Sequence, residues 1–175
     1  MQVIIVMHIF LIMKKNHALY VAQGAVIAAL YVVLTLFINA FGLASGAIQV
    51  RISEALCILP VFTPAAIPGL FIGCLISNLV TGAAIYDVIF GSLATLIAAV
   101  GTYFLKKTKF IYTLPPVVSN MIIIPIVLKY AYGLEDAIWF LVITVAAGEI
   151  ISVCILGHIL KKVIDKTGLF TKFNQ

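Results

Sequence analysis

Several ionisable residues of this sequence stand inside long apolar stretches. Arg51 and Glu54 are spaced i, i+3, a spacing that on a helix places both side chains on one face within pairing distance. Glu149 follows Ala-Ala-Gly in the middle of the last apolar stretch. An ionised group at the centre of a bilayer costs roughly 2.5–3.5 kcal/mol on insertion scales, so these three residues are the first candidates for function.

The chemistry of these three residues has two interpretations, and both stay open at this point. In one, Arg51 and Glu54 form a pocket wall that offers a guanidinium fork and a carboxylate to a polar ligand, and Glu149 is a binding carboxylate that faces the bundle interior. In the other, Arg51 and Glu54 neutralise each other as a structural ion pair, and Glu149 makes a hydrogen bond between packed helices.

Further residues supply amide, aromatic and carboxylate groups. Asn120 offers an amide and Trp139 a stacking face, although an amide also joins helices and a tryptophan also anchors a helix at the membrane interface. Tyr86 and Asp87 fall in a predicted outer loop, where a ring and a carboxylate could close over a cationic ligand. The candidate binding residues are therefore Arg51, Glu54, Asp87, Asn120, Trp139 and Glu149.

The chain that carries these groups has a composition that requires a membrane. Of its 175 residues, 64% are hydrophobic and 10% are charged, which is outside the usual range of soluble domains. Because one helix needs roughly 20 apolar residues to cross a bilayer, the apolar stretches predict an all-α membrane protein with six transmembrane helices. The predicted spans are 17–41, 47–62, 65–82, 86–106, 112–132 and 136–161.

The basic residues lie in clusters between the apolar stretches. Nine of the 11 fall in three clusters, at 14–15, 106–109 and 161–172, which an even number of spans places on one side of the membrane. By the positive-inside rule this side is cytoplasmic, so both termini are predicted to be cytoplasmic. Membrane topology therefore accounts for the net charge of +5, and no nucleic-acid partner is predicted.

The domain organisation is predicted to be simple: one transmembrane domain over residues 13–166 and a basic cytoplasmic tail over 167–175. Residues 1–12 are interpreted as an N-terminal extension or a misassigned start, because Met13 followed by two lysines is a more natural beginning. The cysteines have no metal-ligand spacing and are interpreted as small buried hydrophobic residues. They are Cys57, Cys74 and Cys154.

Small residues recur on the first span at helical spacing. Ala18, Ala22, Ala25 and Ala29 are separated by 4, 3 and 4 positions, which aligns them in one narrow stripe. In lipid, small residues in register let another helix approach closely, because van der Waals packing drives association there. The stripe is interpreted either as a partner-docking face or as the ordinary alanine content of a membrane helix.

Motifs of catalysis are absent from the sequence. It has no Walker phosphate loop, no HExxH, no G-x-S-x-G and no dense aspartate cluster. The chain is therefore not predicted to be an enzyme or to bind a metal or cofactor. If it takes part in active transport, the energy must come from a partner or an ion gradient. A membrane-embedded enzyme for lipid or isoprenoid substrates, the alternative of a different class, would need paired carboxylates or a nucleophile near the interface. A purely structural subunit would have no need of the buried charges.

The region from Met13 to about Lys166 resembles the QueT family, the queuosine-precursor substrate-binding (S) components of energy-coupling factor (ECF) transporters. Several motifs together carry the resemblance, and singly none is specific. They are Ile48-Gln49-Val50-Arg51-Ile52-Ser53-Glu54-Ala55-Leu56, Phe62-Thr63-Pro64-Ala65-Ala66-Ile67-Pro68-Gly69-Leu70-Phe71-Ile72-Gly73-Cys74, Phe90-Gly91-Ser92-Leu93-Ala94-Thr95, Leu114-Pro115-Pro116 and Gly148-Glu149.

The resemblance implies a six-helix S component in the bacterial cytoplasmic membrane that captures its substrate on the outer side. It also implies docking on a transmembrane coupling subunit driven by two ATPase subunits. S components typically dock through an A-x-x-x-A pattern on the first helix, and the segments 18–22 and 25–29 fit that pattern.

The substrate implied by the resemblance is a 7-deazaguanine, either 7-aminomethyl-7-deazaguanine or queuine. A carboxylate such as Glu149 would accept the N1 and N2 hydrogens, Asn120 or Arg51 would donate to the ring carbonyl, and Trp139 would stack on the ring. A second carboxylate, from Glu54 or Asp87, would hold the aminomethyl cation. The alternative within the same class is an S component for another vitamin-like molecule, because fold alone does not fix the substrate.

Overall fold

The computed structural model describes residues 2–41, 51–133, 135–168 and 170, with side chains described from residue 17 onward. Regular secondary structure in these ranges is helical throughout, which confirms the all-α membrane fold class. The helices are α1 (Gln2–Ala40), a 3₁₀ helix (Ile52–Val61), α2 (Ala66–Val80), α3 (Ile85–Phe104), α4 (Leu114–Tyr130, after a 3₁₀ turn at Ile111–Thr113) and α5, which is α-helical over Ile138–Glu149, π-helical over Ile150–Gly157 and α-helical again over His158–Thr167.

Six helical segments follow the predicted order, but they differ in length. Four stretches of the described chain are long and apolar enough to cross a membrane: His17–Ala40, Ile85–Phe104, Ile111–Tyr130 and Ile138–Thr167. Helix α2 has 15 residues and the 3₁₀ helix has ten, which at 1.5 and 2.0 Å per residue makes each about 20 Å long. Both are shorter than the roughly 30 Å of bilayer hydrocarbon.

The second predicted span, 47–62, is the one that the structure changes most. Residues 47–50 lie outside the described residues, and Arg51 has an extended backbone that precedes the 3₁₀ helix. Every residue of this helix from Ser53 to Pro60 is buried. A helix that is buried on all sides is surrounded by protein, so this short segment forms the centre of the bundle.

The main hydrophobic core surrounds the 3₁₀ helix. Its side chains Cys57 and Ile58 are fully buried, and they pack in one cluster with Tyr31 of α1, Leu70 of α2 and Val153 of α5. Three other helices of the bundle, α1, α2 and α5, therefore meet on this 3₁₀ helix. Because Arg51 lies just before that helix and Glu54 inside it, the packing of the helix influences where both side chains lie.

Helices α1 and α2 cross at a very short distance because both carry small residues. A Cβ atom added at Gly69 would lie 2.6 Å from the carbonyl oxygen of Gly24, and one added at Gly73 would lie 2.8 Å from the Cβ of Tyr31 and 3.0 Å from the carbonyl oxygen of Ala28. Small residues spaced by four on each helix therefore allow backbone contact, the packing typical of helices in lipid.

Candidate ligand-binding site

Arg51 forms its ion pair with Asp87 of α3 and not with Glu54. Its Nη2 atom lies 3.4 Å from Asp87 Oδ2, and the two side chains are 16% and 6% exposed. An Arg51–Glu54 ion pair, one of the two interpretations that the sequence left open, required a helix through both residues, and the structure does not form it. The extended backbone at Arg51 turns the guanidinium toward α3 instead.

Asp87 lies in the first turn of α3 and is buried, which corrects its predicted place in an outer loop. Its Oδ2 atom also accepts a hydrogen bond of 3.2 Å from the Tyr132 hydroxyl, which in turn accepts the Ala84 amide at 3.1 Å. Partial burial raises the pKa of Tyr132 above its ordinary value of 10.0. At neutral pH the hydroxyl is therefore protonated and can donate this hydrogen bond.

Asp87 is thus the point where three parts of the bundle meet. Arg51 reaches it from the segment before the 3₁₀ helix, and Tyr132 reaches it from the turn after α4. Asn78 of α2 donates to the backbone oxygen of Asp87 at 3.2 Å. A carboxylate at the start of a helix is also favoured by the helix dipole.

Glu54 is enclosed by donors from its own surroundings. It accepts hydrogen bonds from the Tyr31 hydroxyl on Oε1 and from the Cys57 thiol on Oε2, the latter at 3.0 Å. Thr35 extends this network, since its hydroxyl donates at 2.9 Å to the Tyr31 carbonyl and also lies 2.9 Å from the Ser53 hydroxyl. Each oxygen of Glu54 therefore has a protein donor, and the residue ties the 3₁₀ helix to α1.

Glu149 faces the interior of the bundle, as its depth in the last span predicted. The Asn120 amide donates to Glu149 Oε1 at 2.9 Å, and both side chains are buried. Glu149 is the last α-helical residue before the π-helical part of α5. π-Helical segments are rare and occur frequently at functional sites.

Arg51 and Glu149 line one small cavity together with Ile124 and Val145. Its volume is about 10 Å³, which is room for about one water molecule. Small-molecule pockets are usually about 300–1,000 Å³. A planar bicyclic ligand would therefore enter only if the side chains around this cavity move apart.

Three buried polar atoms of the described residues have no hydrogen-bond partner: Asp87 Oδ1, Glu149 Oε2 and Ser152 Oγ. Asp87 and Glu149 are 5% and 7% exposed. Leaving a buried acceptor unsatisfied costs about 1–3 kcal/mol, and more for a charged group. Two of the three atoms belong to predicted site residues, which marks this region as one that a donor-rich ligand would complete.

Trp139 and Tyr86 lie apart from these buried groups. Trp139 is 65% exposed at the start of α5 and contacts Phe140 edge to face, with ring centroids 6.3 Å apart. It stands ten residues before Glu149, about 15 Å along the helix. Tyr86 is 57% exposed although Asp87 beside it is buried. The position of Trp139 fits its alternative interpretation as an interfacial anchor.

Sequence reasoning missed the residues that support the site from neighbouring helices. Tyr31 and Asn78 lie inside apolar spans, where a polar group is unusual, and that signal could have identified both. Cys57 and Cys74 are buried as predicted, whereas Cys154 is partly buried. Cys57 also donates to Glu54, a role that its burial alone did not indicate.

The alanine stripe of α1 is on the outside of the bundle, since all four alanines are exposed: Ala18, Ala22, Ala25 and Ala29. Ala25 and Ala29 line a groove of about 680 Å³ between α1 and α2. Ala22 lines a second groove, of about 300 Å³, against the end of α5. The stripe thus forms a ridge of small side chains between two apolar grooves.

Comparison with known proteins relates the chain to transporters. The family model described as QueT transporter matches residues 21–166. The queuosine precursor transporter QueT of Lactococcus lactis subsp. cremoris (strain MG1363) is 39% identical to this chain over 85 residues. These residues are 49% of this chain and 50% of that protein. The chain therefore spans about half the length of the curated relative it matches. No solved structure matches the chain. The matched family is one of transporters, which confirms the prediction that the chain is not an enzyme.

Proposed function

Because the chain belongs to the QueT transporter family, we propose that it is the substrate-capturing S component of an ECF importer for a queuosine precursor. It is a multi-pass membrane protein of the bacterial cell membrane, with four described stretches able to cross a bilayer. The proposed ligand is a 7-deazaguanine, either 7-aminomethyl-7-deazaguanine or queuine.

The observation that carries this proposal is the pair of unpartnered, buried carboxylate oxygens on Asp87 and Glu149. Arg51 joins the two residues, since it pairs with Asp87 and lines a cavity with Glu149. A purely structural network would satisfy its acceptors. Acceptors without donors, next to a guanidinium, suit a small polar ligand that brings several N–H groups.

The edge of a deazaguanine has the groups that this site lacks. Its N1 and N2 hydrogens would be accepted by Glu149, and Arg51 or Asn120 would donate to the ring carbonyl. The site needs neither Glu54 nor Trp139 for these contacts, since both Glu54 oxygens already have donors and Trp139 is exposed at the start of α5. A contact of either residue with the ligand stays a prediction.

The proposed partners are a transmembrane coupling subunit and two ATPase subunits. The absence of a phosphate-binding loop motif in the sequence supports an external source of energy. The exposed alanine ridge of α1 supports docking by close helix packing, the kind of contact that drives association in lipid.

The test of the proposed function is ligand binding by the detergent-purified chain. Thermal shift and isothermal titration would compare 7-aminomethyl-7-deazaguanine and queuine with guanine, thiamine and riboflavin. We expect selective stabilisation by a deazaguanine. Binding of another vitamin in its place would keep the S-component class and overturn the substrate.

A further inference from the structure

The charges of the buried residues indicate which charge the bound ligand has, a question that rests on the proposed function and deepens it. We infer that the ligand is bound as a cation, with its ammonium group on Asp87, and that this charge decides which deazaguanines bind. The inference concerns selectivity at the same site, so it can fail while the proposed function holds.

Carboxylates outnumber cations in the buried part of the described chain. Glu54, Asp87 and Glu149 are all at most 7% exposed, and among the described residues Arg51 is the one cation that pairs with any of them or lines a cavity with one. The sequence of residues 42–50 contains no charged residue that could alter this balance. Glu54 and Asp87 alone already exceed the single charge of Arg51, and burying an unbalanced charge is costly, so a ligand that brings a positive charge is favoured over a neutral one of the same shape.

Among the three carboxylates, Asp87 is the one best suited to an ammonium group. Both oxygens of Glu54 have donors, and Glu149 is the proposed acceptor for the planar edge of the ligand. Asp87 keeps one oxygen without a partner. Its contact with Arg51 is 3.4 Å long, whereas a charge-assisted hydrogen bond is usually about 2.7–2.9 Å, so the existing pair leaves room for a stronger partner.

Tyr132 acts as a positioning residue for this interaction. Its hydroxyl donates to Asp87 Oδ2 and is itself anchored by the Ala84 amide. The carboxylate therefore keeps its orientation when Arg51 moves toward the ligand. The movement would also widen the small cavity that Arg51 shares with Glu149, so ligand binding and opening of the site are coupled through one side chain.

The first experiment changes the ligand and leaves the protein intact. Titration of the full chain would compare 7-aminomethyl-7-deazaguanine with its neutral near-isostere, 7-hydroxymethyl-7-deazaguanine, and with the neutral 7-cyano analogue. We expect the neutral ligands to bind about 10- to 100-fold more weakly, the usual effect of losing a hydrogen bond to a charged group. Equal affinities would overturn the inference alone, and no binding of any deazaguanine would overturn the proposed function with it.

The second experiment locates the ammonium group. Asp87→Asn is expected to weaken binding of the aminomethyl ligand about 10- to 100-fold and to change binding of the hydroxymethyl ligand by less than about threefold. Asp136→Asn makes the same chemical change at an exposed residue and should alter neither affinity. An equal loss for both ligands would assign Asp87 a structural role.

A second variant distinguishes the two carboxylates. If Glu149→Gln loses the preference for the cationic ligand instead, the ammonium group lies on Glu149. If Asp87→Asn does not fold, the wild-type ligand comparison still decides whether charge is selected.

Discussion

Buried carboxylates of the same type do different work in this protein because their neighbours differ. Glu54 receives donors on both oxygens, from Tyr31 and Cys57. Glu149 receives one donor, from Asn120, and keeps Oε2 without a partner. The first arrangement satisfies the whole carboxylate within the protein, whereas the second leaves one acceptor oxygen without a donor.

The role of Glu149 leads to a prediction for ligand affinity. Glu149→Gln replaces one acceptor oxygen with a donor group, so it should weaken deazaguanine binding about 10- to 100-fold in isothermal titration. The same substitution at the exposed Glu135 is the matched control and should leave affinity unchanged. Unchanged affinity in Glu149→Gln would remove this residue from the site.

The role of Tyr31 leads to a prediction for stability. Tyr31→Phe removes one donor to the buried Glu54 carboxylate, so it should lower the free energy of unfolding by about 1–3 kcal/mol. Thermal unfolding in detergent would measure this loss. Tyr130→Phe, at a side chain that is 78% exposed, is the control. Two variants of equal stability would contradict the structural role of the Tyr31–Glu54 contact.

At the scale of elements, a short central helix and a close helix crossing determine where the site residues lie. The 3₁₀ helix is buried on all sides and carries Glu54, and the chain before it carries Arg51. Helices α1 and α2 hold it from one side, and they meet through Gly24 and Gly69 with almost no space between their backbones. Any change that separates α1 from α2 should therefore loosen the support of the site.

The crossing of α1 and α2 can be tested with one methyl group. In Gly69→Ala, the added Cβ would lie 2.6 Å from the Gly24 carbonyl oxygen, a backbone atom that moves only with its helix. We expect a loss of about 1–3 kcal/mol in stability, the usual cost of overpacking, measured by unfolding in detergent. Ile72→Ala, at an exposed position of the same helix, should cost much less. Similar small losses in both variants would contradict the tight crossing.

The exposed face of α1 can be tested by docking. Ala25→Leu places a large side chain on the alanine ridge, so it should reduce recovery of the coupling subunit and its two ATPases with this chain. Ligand affinity should stay within about twofold, because surface changes have small effects on distant sites. Ala147→Leu makes the same change at an exposed position of α5 and should leave the complex intact. Normal assembly of Ala25→Leu would exclude the ridge as the docking face.

At the scale of the whole molecule, the two ends of the bundle have different chemistry. One end joins Arg51, Asp87 and Tyr132 in a polar network. The opposite end carries aromatic and basic side chains, where the Tyr112 hydroxyl lies 3.2 Å from His158 Nδ1 and Lys161 lies over the ring of Phe62. The charge bias between the ends predicts that the polar network faces the outside of the cell.

This orientation is a prediction that cysteine labelling can check. A membrane-impermeant maleimide should modify Asp136→Cys in intact cells and should modify Lys107→Cys only after permeabilisation, because the two residues lie at opposite ends of the bundle. The unsubstituted chain is the control, since Cys57 and Cys74 are buried and Cys154 is partly buried. The reverse labelling pattern would place both termini outside.

The sequence by itself determined that this protein lies in a membrane, that it is helical, in which order its segments follow and that Glu149 faces inward. These properties depend on composition and local periodicity, which a chain displays without folding. The apolar runs located the four stretches that can cross a membrane, with ends that differ by at most six residues, whereas the 47–62 run did not reveal a 3₁₀ helix that is enclosed by other helices.

Only the tertiary structure decided which charged groups meet. Arg51 is 36 positions from Asp87, and Tyr132 is 45 positions from it, so their contacts depend on how distant segments pack. Local spacing favoured Glu54 as the partner of Arg51, but donors from Tyr31 on another helix and from Cys57 satisfied that carboxylate instead. Buried polar groups take the partners that packing brings within reach, and no pattern of neighbours along the chain determines that choice.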